Sequence, residues 1–559
     1  MLLKVLFCPT PLSLNMTLNG TCLALRQVGR AASRLPCRAS PQLLGLVRRC
    51  SITTSASNNK GNPRQKERVV ILGSGWAGYA FANTLDPAKY ERIVVSPRSH
   101  FVFTPLLAST AVGTLEFRSV LEPVRRLSGV NFYQGWADDI DFVRKTVRAE
   151  ANTADDLASK TIVLPAGGGN YPKQPGIKGE VFDVSYDKVV IACGSFSQTF
   201  GVDGVREHAH FLRDIGDSRR IRLRVLSLFE QCAHQRTDHN ASAAQDTESR
   251  RAGHLTNEDR RSLLHFAVVG GGPTGIEFAA ELHDLIYEDL ARIYPDLIQF
   301  VRITVYDIAP KVLPMFDKAL SKYATDHFAR QGINVRTKTS LSRIRLAPND
   351  LGREHGGLTL TLADSDSTEI PAGLVVWSTG LMANPLISRL ASKSFPLSTP
   401  SSEPPSSEPP SPESSLALDP KTHLLLTDSH LRARVNHPSD PHATLDDVFV
   451  IGDCAVMESQ PHLPKTAQVA SQQAVYLAKQ LSARAVGKKT FKFRNWGTLT
   501  YLGGWKAIHQ SSADELKGWV AWVIWRGAYL TKSMSLRNKI MVPFYWITSW
   551  LFGRDISRF

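Results

Sequence analysis

Beyond residue 66 the 559-residue chain holds only three cysteines, Cys193, Cys232 and Cys454. They form no C-x-x-C and no close pair. That excludes a disulfide framework, a thiolate metal site and a redox-active dithiol, and no metal is expected. A calcium loop of the D-x-[DN]-x-[DN]-G kind is also missing. No apolar run reaches the roughly 20 residues that cross a bilayer, so nothing suggests ion pumping. Acid is absent from residues 1–66, which carry ten Lys/Arg, whereas residues 491–559 carry ten Lys/Arg against three acids. The net charge of +15 is therefore terminal, the 424 residues between being left at −2. A general nucleic-acid surface on the body is excluded.

The acid-free start is Arg-spaced and rich in Ser, Ala and Leu, the composition of a mitochondrial transit peptide, with Arg48-Arg49-Cys50-Ser51 resembling a processing site. A hydrophobic content of 43% and a charged content of 21% suit a globular body of two or three domains.

What that body does have is one pattern twice. Val69-Val-Ile-Leu-Gly73-Ser74-Gly75-Trp76-Ala77-Gly78 is a short apolar run opening into Gly-x-Gly-x-x-Gly, and Val268-Val-Gly270-Gly-Gly272-Pro-Thr-Gly275 repeats it. An unbroken Val/Ile/Leu run reads as a buried parallel strand. In each motif the first glycine makes the tight turn and the second lets backbone approach a pyrophosphate. The third lets the helix sit close on the sheet. The helix start then offers free N–H groups to phosphate. Two such units predict an α/β protein with two Rossmann-like domains holding two dinucleotides.

The second strands of the units differ. Glu91–Val95 ends in Ser96-Pro97-Arg98, without the usual acid, so the adenosine end of the first nucleotide is expected to be gripped by Ser96 and Arg98. Val301–Tyr306 ends in Asp307. A carboxylate there accepts from a free ribose 2′-hydroxyl and repels a 2′-phosphate, which favours NADH over NADPH. Its 32-residue distance from Gly275 is longer than the usual ~20.

Residues 231–260 are polar and aperiodic, and residues 391–416 are rich in Ser, Pro and Glu; both read as disordered inserts. Ala166-Gly-Gly-Gly-Asn-Tyr-Pro172 reads as a hairpin or flap loop, and Leu374–Trp377 as a returning strand. Residues 467–481 read as a helix with Thr466 as its N-cap, and Gln468 and Gln472 share one face of it.

Gly73-Ser-Gly-Trp76, Ser96-Pro-Arg-Ser99, Phe103-Thr-Pro-Leu-Leu107 and Val112-Gly-Thr114 together resemble the type II, non-pumping NADH:ubiquinone oxidoreductases of fungal and plant mitochondria. The likeness continues in Tyr186–Ser195, Val448-Phe-Val-Ile-Gly452-Asp453 and the Ala467-Gln-x-Ala-x-Gln472 helix. It implies non-covalent FAD, NADH as donor, ubiquinone as acceptor, a peripheral place on the mitochondrial inner membrane without a spanning helix, and a homodimer formed through C-terminal helices.

By the same resemblance, cofactor contacts fall on Gly73, Ser74, Gly75, Trp76, Gly78, Ser96, Arg98, Thr104, Gly194, Gly270, Gly272, Gly275, Asp307, Gly380, Gly452, Asp453, Ala467 and Gln468. Asp453 would hold the ribityl chain, Gln468 and Gln472 would lie beside the quinone, and Glu277 would assist transfer near the nicotinamide. Relatives of the yeast type carry His where Ser471 stands, so a proton-donor role there does not transfer. The implied division is 1–66 transit peptide and linker, 67–214 FAD domain, 215–380 NADH domain, 381–490 second part of the FAD domain and 491–559 C-terminal membrane and dimer segment. A scaffold flavoprotein like apoptosis-inducing factor shares both fingerprints and is the alternative.

The last segment combines Trp505, Trp519, Trp522, Trp525, Trp546 and Trp550 with Arg526, Lys532, Arg537 and Lys539. Aromatic residues with basic neighbours suit helices lying in a headgroup layer. A dimerisation face is the competing reading, so truncation after about Gly504 is expected to release the protein from membranes, or to aggregate it by breaking a dimer, and to spare dye-linked NADH oxidation more than quinone reduction.

Overall fold

The computed structural model describes residues 66–152, 179–234, 255–347, 357–396, 413–438, 440–511, 514–533 and 535–558. The leader up to residue 65 and the glycine-rich stretch 166–172 lie outside the described residues.

The apolar run preceding the first glycines is β1 (Glu67–Leu72), whose last four residues are buried because strands flank it on both edges and helices cover its faces. Its glycine turn leads into α1 (Trp76–Thr84) and back to β2 (Tyr90–Ser96). Beyond β2 lies β3 (Val130–Asp141). On the other edge β1 pairs in parallel with β4 (Lys188–Ile191), Ile71 facing both Val94 and Val190. A crossover of this kind returns each strand parallel to the last.

A second, all-parallel sheet runs in the spatial order β5 (His210–Phe211), β9 (Leu374–Trp377), β6 (His265–Val269), β7 (Arg302–Tyr306) and β8 (Asn334–Arg336). Helix α3 (Ile215–His234) precedes β6, and α4 (Pro273–Asp284) follows it. The chain then returns to the first sheet as β10 (Thr444–Val450), which pairs with β4, Val450 opposite Ile191. The first domain is thus closed by two separate chain segments, with a short antiparallel pair, Ser195–Ser197 against Leu381–Ala383, at the crossing point.

Helix α5 (Ala467–Ser482) starts at Thr466, whose hydroxyl accepts from the Val469 N–H, and packs on α1. The chain ends in an antiparallel sheet of β11 (Thr498–Gly503), β12 (Lys506–Gln510) and β13 (Glu515–Gly518), followed by α6 (Trp519–Lys532) and α7 (Leu536–Phe552). Among the described residues no helix is long and apolar enough to cross a membrane.

Three expectations are corrected. The polar insert is narrower than residues 231–260: α3 continues through Cys232, whose side chain is buried, and a helix at Asn257–Leu263 starts on a capping box between Thr256 and Asp259. Residues 235–254 remain outside the described part. The Pro/Ser insert is likewise bounded by structure, since Phe395–Pro396 pairs with Glu413–Leu416 at the edge of the first sheet. Finally, Cys193 and Cys454 do form a close pair in space. Parallel pairing of β4 with β10 brings the two residues together, Cys454 Sγ lying 3.5 Å from the Ile191 carbonyl oxygen, and the neighbouring Cys454 and burial push the Cys193 thiol well up. Both thiols are free.

Candidate functional site

The two glycine turns are the same object built twice. Gly73 adopts φ +113° and donates its N–H to Val95 O at 2.9 Å; Gly270 adopts φ +113° and donates to Tyr306 O at 2.8 Å. Any Cβ at Gly78 would run into the Gly73 carbonyl oxygen, and one at Gly275 into the Gly270 carbonyl oxygen, so each helix sits as close to its turn as backbone allows. The middle glycines behave oppositely. Gly75 and Gly272 have nothing within 4 Å of where a Cβ would project, and each stands as an N-cap without side-chain bonds. Helix N–H groups left without a cap beside open space are a phosphate-sized cradle that a side chain would fill.

At the first cradle, Ser74 is buried, its hydroxyl 2.9 Å from that of Ser96. Arg98 is drawn off to Asp214, Nε to Oδ2 at 2.7 Å. Burial works against charge on Asp214, but His100 and the Arg98 guanidinium outweigh it and hold the carboxyl at about 2. Ser96 and Arg98 therefore brace the strand end; the expected direct grip on adenosine would have to share groups already bonded within the protein. Trp76 Nε1 donates to Thr104 Oγ1 at 3.0 Å, and the indole packs edge-on against Phe101 at 5.0 Å.

Behind them, Gly194 takes φ +69° with open space at its Cβ position. Ser195 Oγ donates to Asp453 Oδ2 at 3.2 Å, and Arg213 Nη2 donates to Ser195 Oγ at 3.1 Å. Arg213 is the residue that sequence reasoning missed. Its guanidinium is buried, its charge is opposed by that burial and supported by Asp453, and its Nη1 has no partner. A buried unpaired donor beside an acid at the carboxyl ends of β4 and β10 fits a polar ligand group. No short motif surrounds Arg213, so only the fold could reveal it. Gly452 N–H donates to the buried Gln473 Oε1 at 2.8 Å, which ties the Gly452-Asp453 turn to α5. The residues present therefore fit FAD.

At the second cradle, Asp307 accepts from the Gly271 N–H and from Ala309 N–H at 2.7 Å, which aims its carboxylate at the glycine turn. Gly380, at φ +79°, lies at the foot of β9, where Phe200 and the Gln198 carbonyl close on it.

The remaining candidates are held by the C-terminal segment. Gln468 donates to Gly497 O at 2.9 Å and accepts from Trp496 N–H at 3.1 Å. Gln472 donates to Arg494 O at 2.8 Å and accepts from the Arg494 N–H at 3.0 Å. Each amide keeps one N–H and one lone pair. Ala467 opens the same helix. Glu277 is buried on α4 and accepts from Tyr501 N–H at 3.2 Å and Trp525 Nε1 at 3.3 Å. Burial pushes its carboxyl up to about 8, against the two hydrogen bonds. Its contacts thus come from β11 and α6, a coupling that no local pattern in the sequence announces. Among the described residues no group of His, Cys, Asp and Glu could hold a metal ion.

A model of the pyridine nucleotide-disulphide oxidoreductase family matches residues 67–395, and an NDH2 C-terminal domain model matches residues 496–555. A probable NADH dehydrogenase of Dictyostelium discoideum is 35% identical over 505 residues, covering 89% of this chain and 93% of the relative. The chain belongs to the type II NADH dehydrogenase family. Another relative in this family is a probable mitochondrial NADH-ubiquinone oxidoreductase of Schizosaccharomyces pombe, 31% identical over 94% of this chain and 90% of its own length. The type II fold is seen as well in a Plasmodium falciparum NDH2 solved with NADH, at a TM-score of 0.69 and 22% identity, covering 88% of this chain and 100% of that one.

Proposed function

We propose that this type II enzyme passes two electrons from NADH to ubiquinone in the respiratory chain without pumping protons. It works in the mitochondrion at the inner membrane. The observation that carries the reading is the duplicated phosphate cradle, Gly73–Gly78 and Gly270–Gly275, in one chain. FAD, when bound, supplies the two-electron relay between donor and acceptor.

The parts of the chain then divide as follows. The first cradle, with Ser195, Arg213 and Asp453, binds FAD and neutralises its polar groups. The second cradle, with Asp307, binds NADH and discriminates against a 2′-phosphate. Residues 67–214 and 381–490 make the FAD domain and 215–380 the NADH domain. Glu277, its carboxyl lifted by burial to about 8, holds a proton near neutral pH two residues beyond Gly275, the last glycine of the second cradle. Gln468 and Gln472 fix the Arg494–Gly497 segment beside α5 and so shape the quinone approach.

The exposed faces of α6 and α7 make the membrane contact. Trp519, Val523, Leu536, Ile540, Phe544, Ile547, Trp550 and Phe552 are all exposed, Phe552 at 83%. Residues 519–552 contain four Lys/Arg and no acid. An apolar face flanked only by positive charge suits a lipid headgroup layer. A second copy of the chain is the other occupant that face could take without lipid, which is how the expected homodimer fits.

The test is turnover by purified, flavin-loaded protein. NADH should reduce a short-tail ubiquinone analogue in the presence of rotenone, and the protein should float with phospholipid vesicles. Flavin that NADH cannot reduce would overturn the reading.

A further inference from the structure

The end of the chain, Gly553-Arg554-Asp555, leaves the apolar face of α7 and runs into the seam between the two nucleotide-binding domains. Arg554 Nη1 donates to Asp289 Oδ2 at 2.6 Å, to Glu288 Oε2 at 2.7 Å and to the Asp284 carbonyl at 3.3 Å. All three belong to α4 or the π-helical segment Leu285–Leu290 that continues it. Its Nε donates to Thr114 Oγ1 at 3.0 Å, on the first domain. Asp555 pairs with Arg222 at 2.8 Å, and its N–H reaches Gly113 O at 3.4 Å.

Thr114 in turn donates to Glu281 Oε2 at 2.9 Å, and Ser109 donates to Glu281 Oε1 at 2.6 Å. Glu281 lies on α4, six residues beyond Gly275. Ser109 lies on the short helix Leu107–Ala111, which follows the turn Thr104–Leu106 that starts at Thr104, the partner of Trp76 in the first cradle. Ser109 and Thr114 therefore bond the first domain to α4 through Glu281, and Arg554 adds a second tie, from Thr114 to the far end of α4. Burial acts against the Arg554 charge, but Glu281, Glu288, Asp289 and Asp284 outweigh it. Arg554 is thus a counter-ion, contributed by the C-terminal segment, for the buried acids Glu281 and Asp284 of α4.

We infer that Gly553–Asp555 is a positioning element of hydride transfer, which sets the spacing of the two bound dinucleotides by clamping α4 to the Gly113–Thr114 turn. The inference rests on the NADH–FAD reading above. Hydride transfer is steep in distance, and a displacement of about 1 Å can cost around a hundredfold. The clamp acts through α4 and touches neither reacting ring, so Arg554 is a positioning residue.

The test uses full-length, FAD-loaded protein carrying Arg554→Gln, Arg554→Lys or, as a milder cut at the same bond, Asp289→Asn. Stopped flow at saturating NADH reads flavin reduction, with 4-deuterated NADH to report the chemical step. Reoxidation of dithionite-reduced flavin by a short-tail quinone reads the other half-reaction. Expected is a loss of about ten- to a hundredfold in flavin reduction for Arg554→Gln, with a full isotope effect, partial rescue in Arg554→Lys and quinone reoxidation within about twofold of the parent. Should Arg554→Gln fail to fold, Asp289→Asn must show the same split. Parental flavin reduction, or equal loss in both half-reactions, overturns the inference and leaves the clamp a purely structural contact. Flavin that NADH cannot reduce in the parent refutes the functional reading instead.

Discussion

Replacing Glu277 by Gln should change how stability depends on pH. The carboxyl is 6% exposed, and burial lifts it from the ordinary 4.5 to about 8. Between those values the folded chain holds a proton at this site that the unfolded chain has released, so folding grows less favourable as pH rises. The contribution is complete below about 4.5 and is lost as pH climbs through about 8. At about 1.4 kcal/mol per pH unit, that interval amounts to about 5 kcal/mol. Gln carries no charge at any of these values and still offers an oxygen to the Tyr501 N–H and the Trp525 indole. The variant should therefore match the parent near pH 5 and exceed it near pH 8.5. The assay is thermal unfolding of the FAD-loaded protein at half-unit steps from pH 5 to pH 9. A parental melting temperature that falls across the range, set against a flatter curve for Glu277→Gln, supports the account. Parallel curves would refute it, because Glu277 would then be titrating as an ordinary exposed acid.

Gly75→Val should yield protein without the yellow chromophore, since the added side chain fills the space open to phosphate; normal flavin content would sink the assignment. Asp307→Gln should raise the use of NADPH relative to NADH several-fold by removing the repelling charge, and an unchanged ratio in steady-state kinetics would make the acid a strand end only. Gln472→Ala, like Gln468→Ala, should slow ubiquinone reduction while sparing flavin reduction by NADH, because the bonds lost anchor the Arg494–Gly497 segment; equal loss of both half-reactions would point to folding. Truncation after Gly504 should now cost dye-linked NADH oxidation as well as membrane binding, contrary to the expectation from sequence, since it strips Trp525 from Glu277 and Arg554 from α4. A truncated protein that keeps parental dye-linked turnover would refute that revision.

Local chemistry was enough to read both cradles, because a turn at φ +113° and a helix seated on its own carbonyl demand glycine at fixed spacing. Local chemistry also exposed the strand runs, the Thr466 cap and the aromatic, acid-free end of the chain, each of which depends on neighbours within a few positions. Pairing across long separations was beyond it. Cys193 meets Cys454 only because β4 lies beside β10, and Arg213, just past β5 of the second sheet, meets Ser195, just past β4 of the first, only once both sheets are built. The amides of Gln468 and Gln472 looked free on a helix face until the tertiary fold laid residues 494–497 across them. Glu277 read as a candidate beside the nicotinamide, and its sequence neighbourhood is silent on the two donors from β11 and α6. What raised its carboxyl was burial under the C-terminal segment, and burial is a property of the packed whole: the same residue at the same spacing after Gly275 would titrate as an ordinary acid if that segment packed elsewhere.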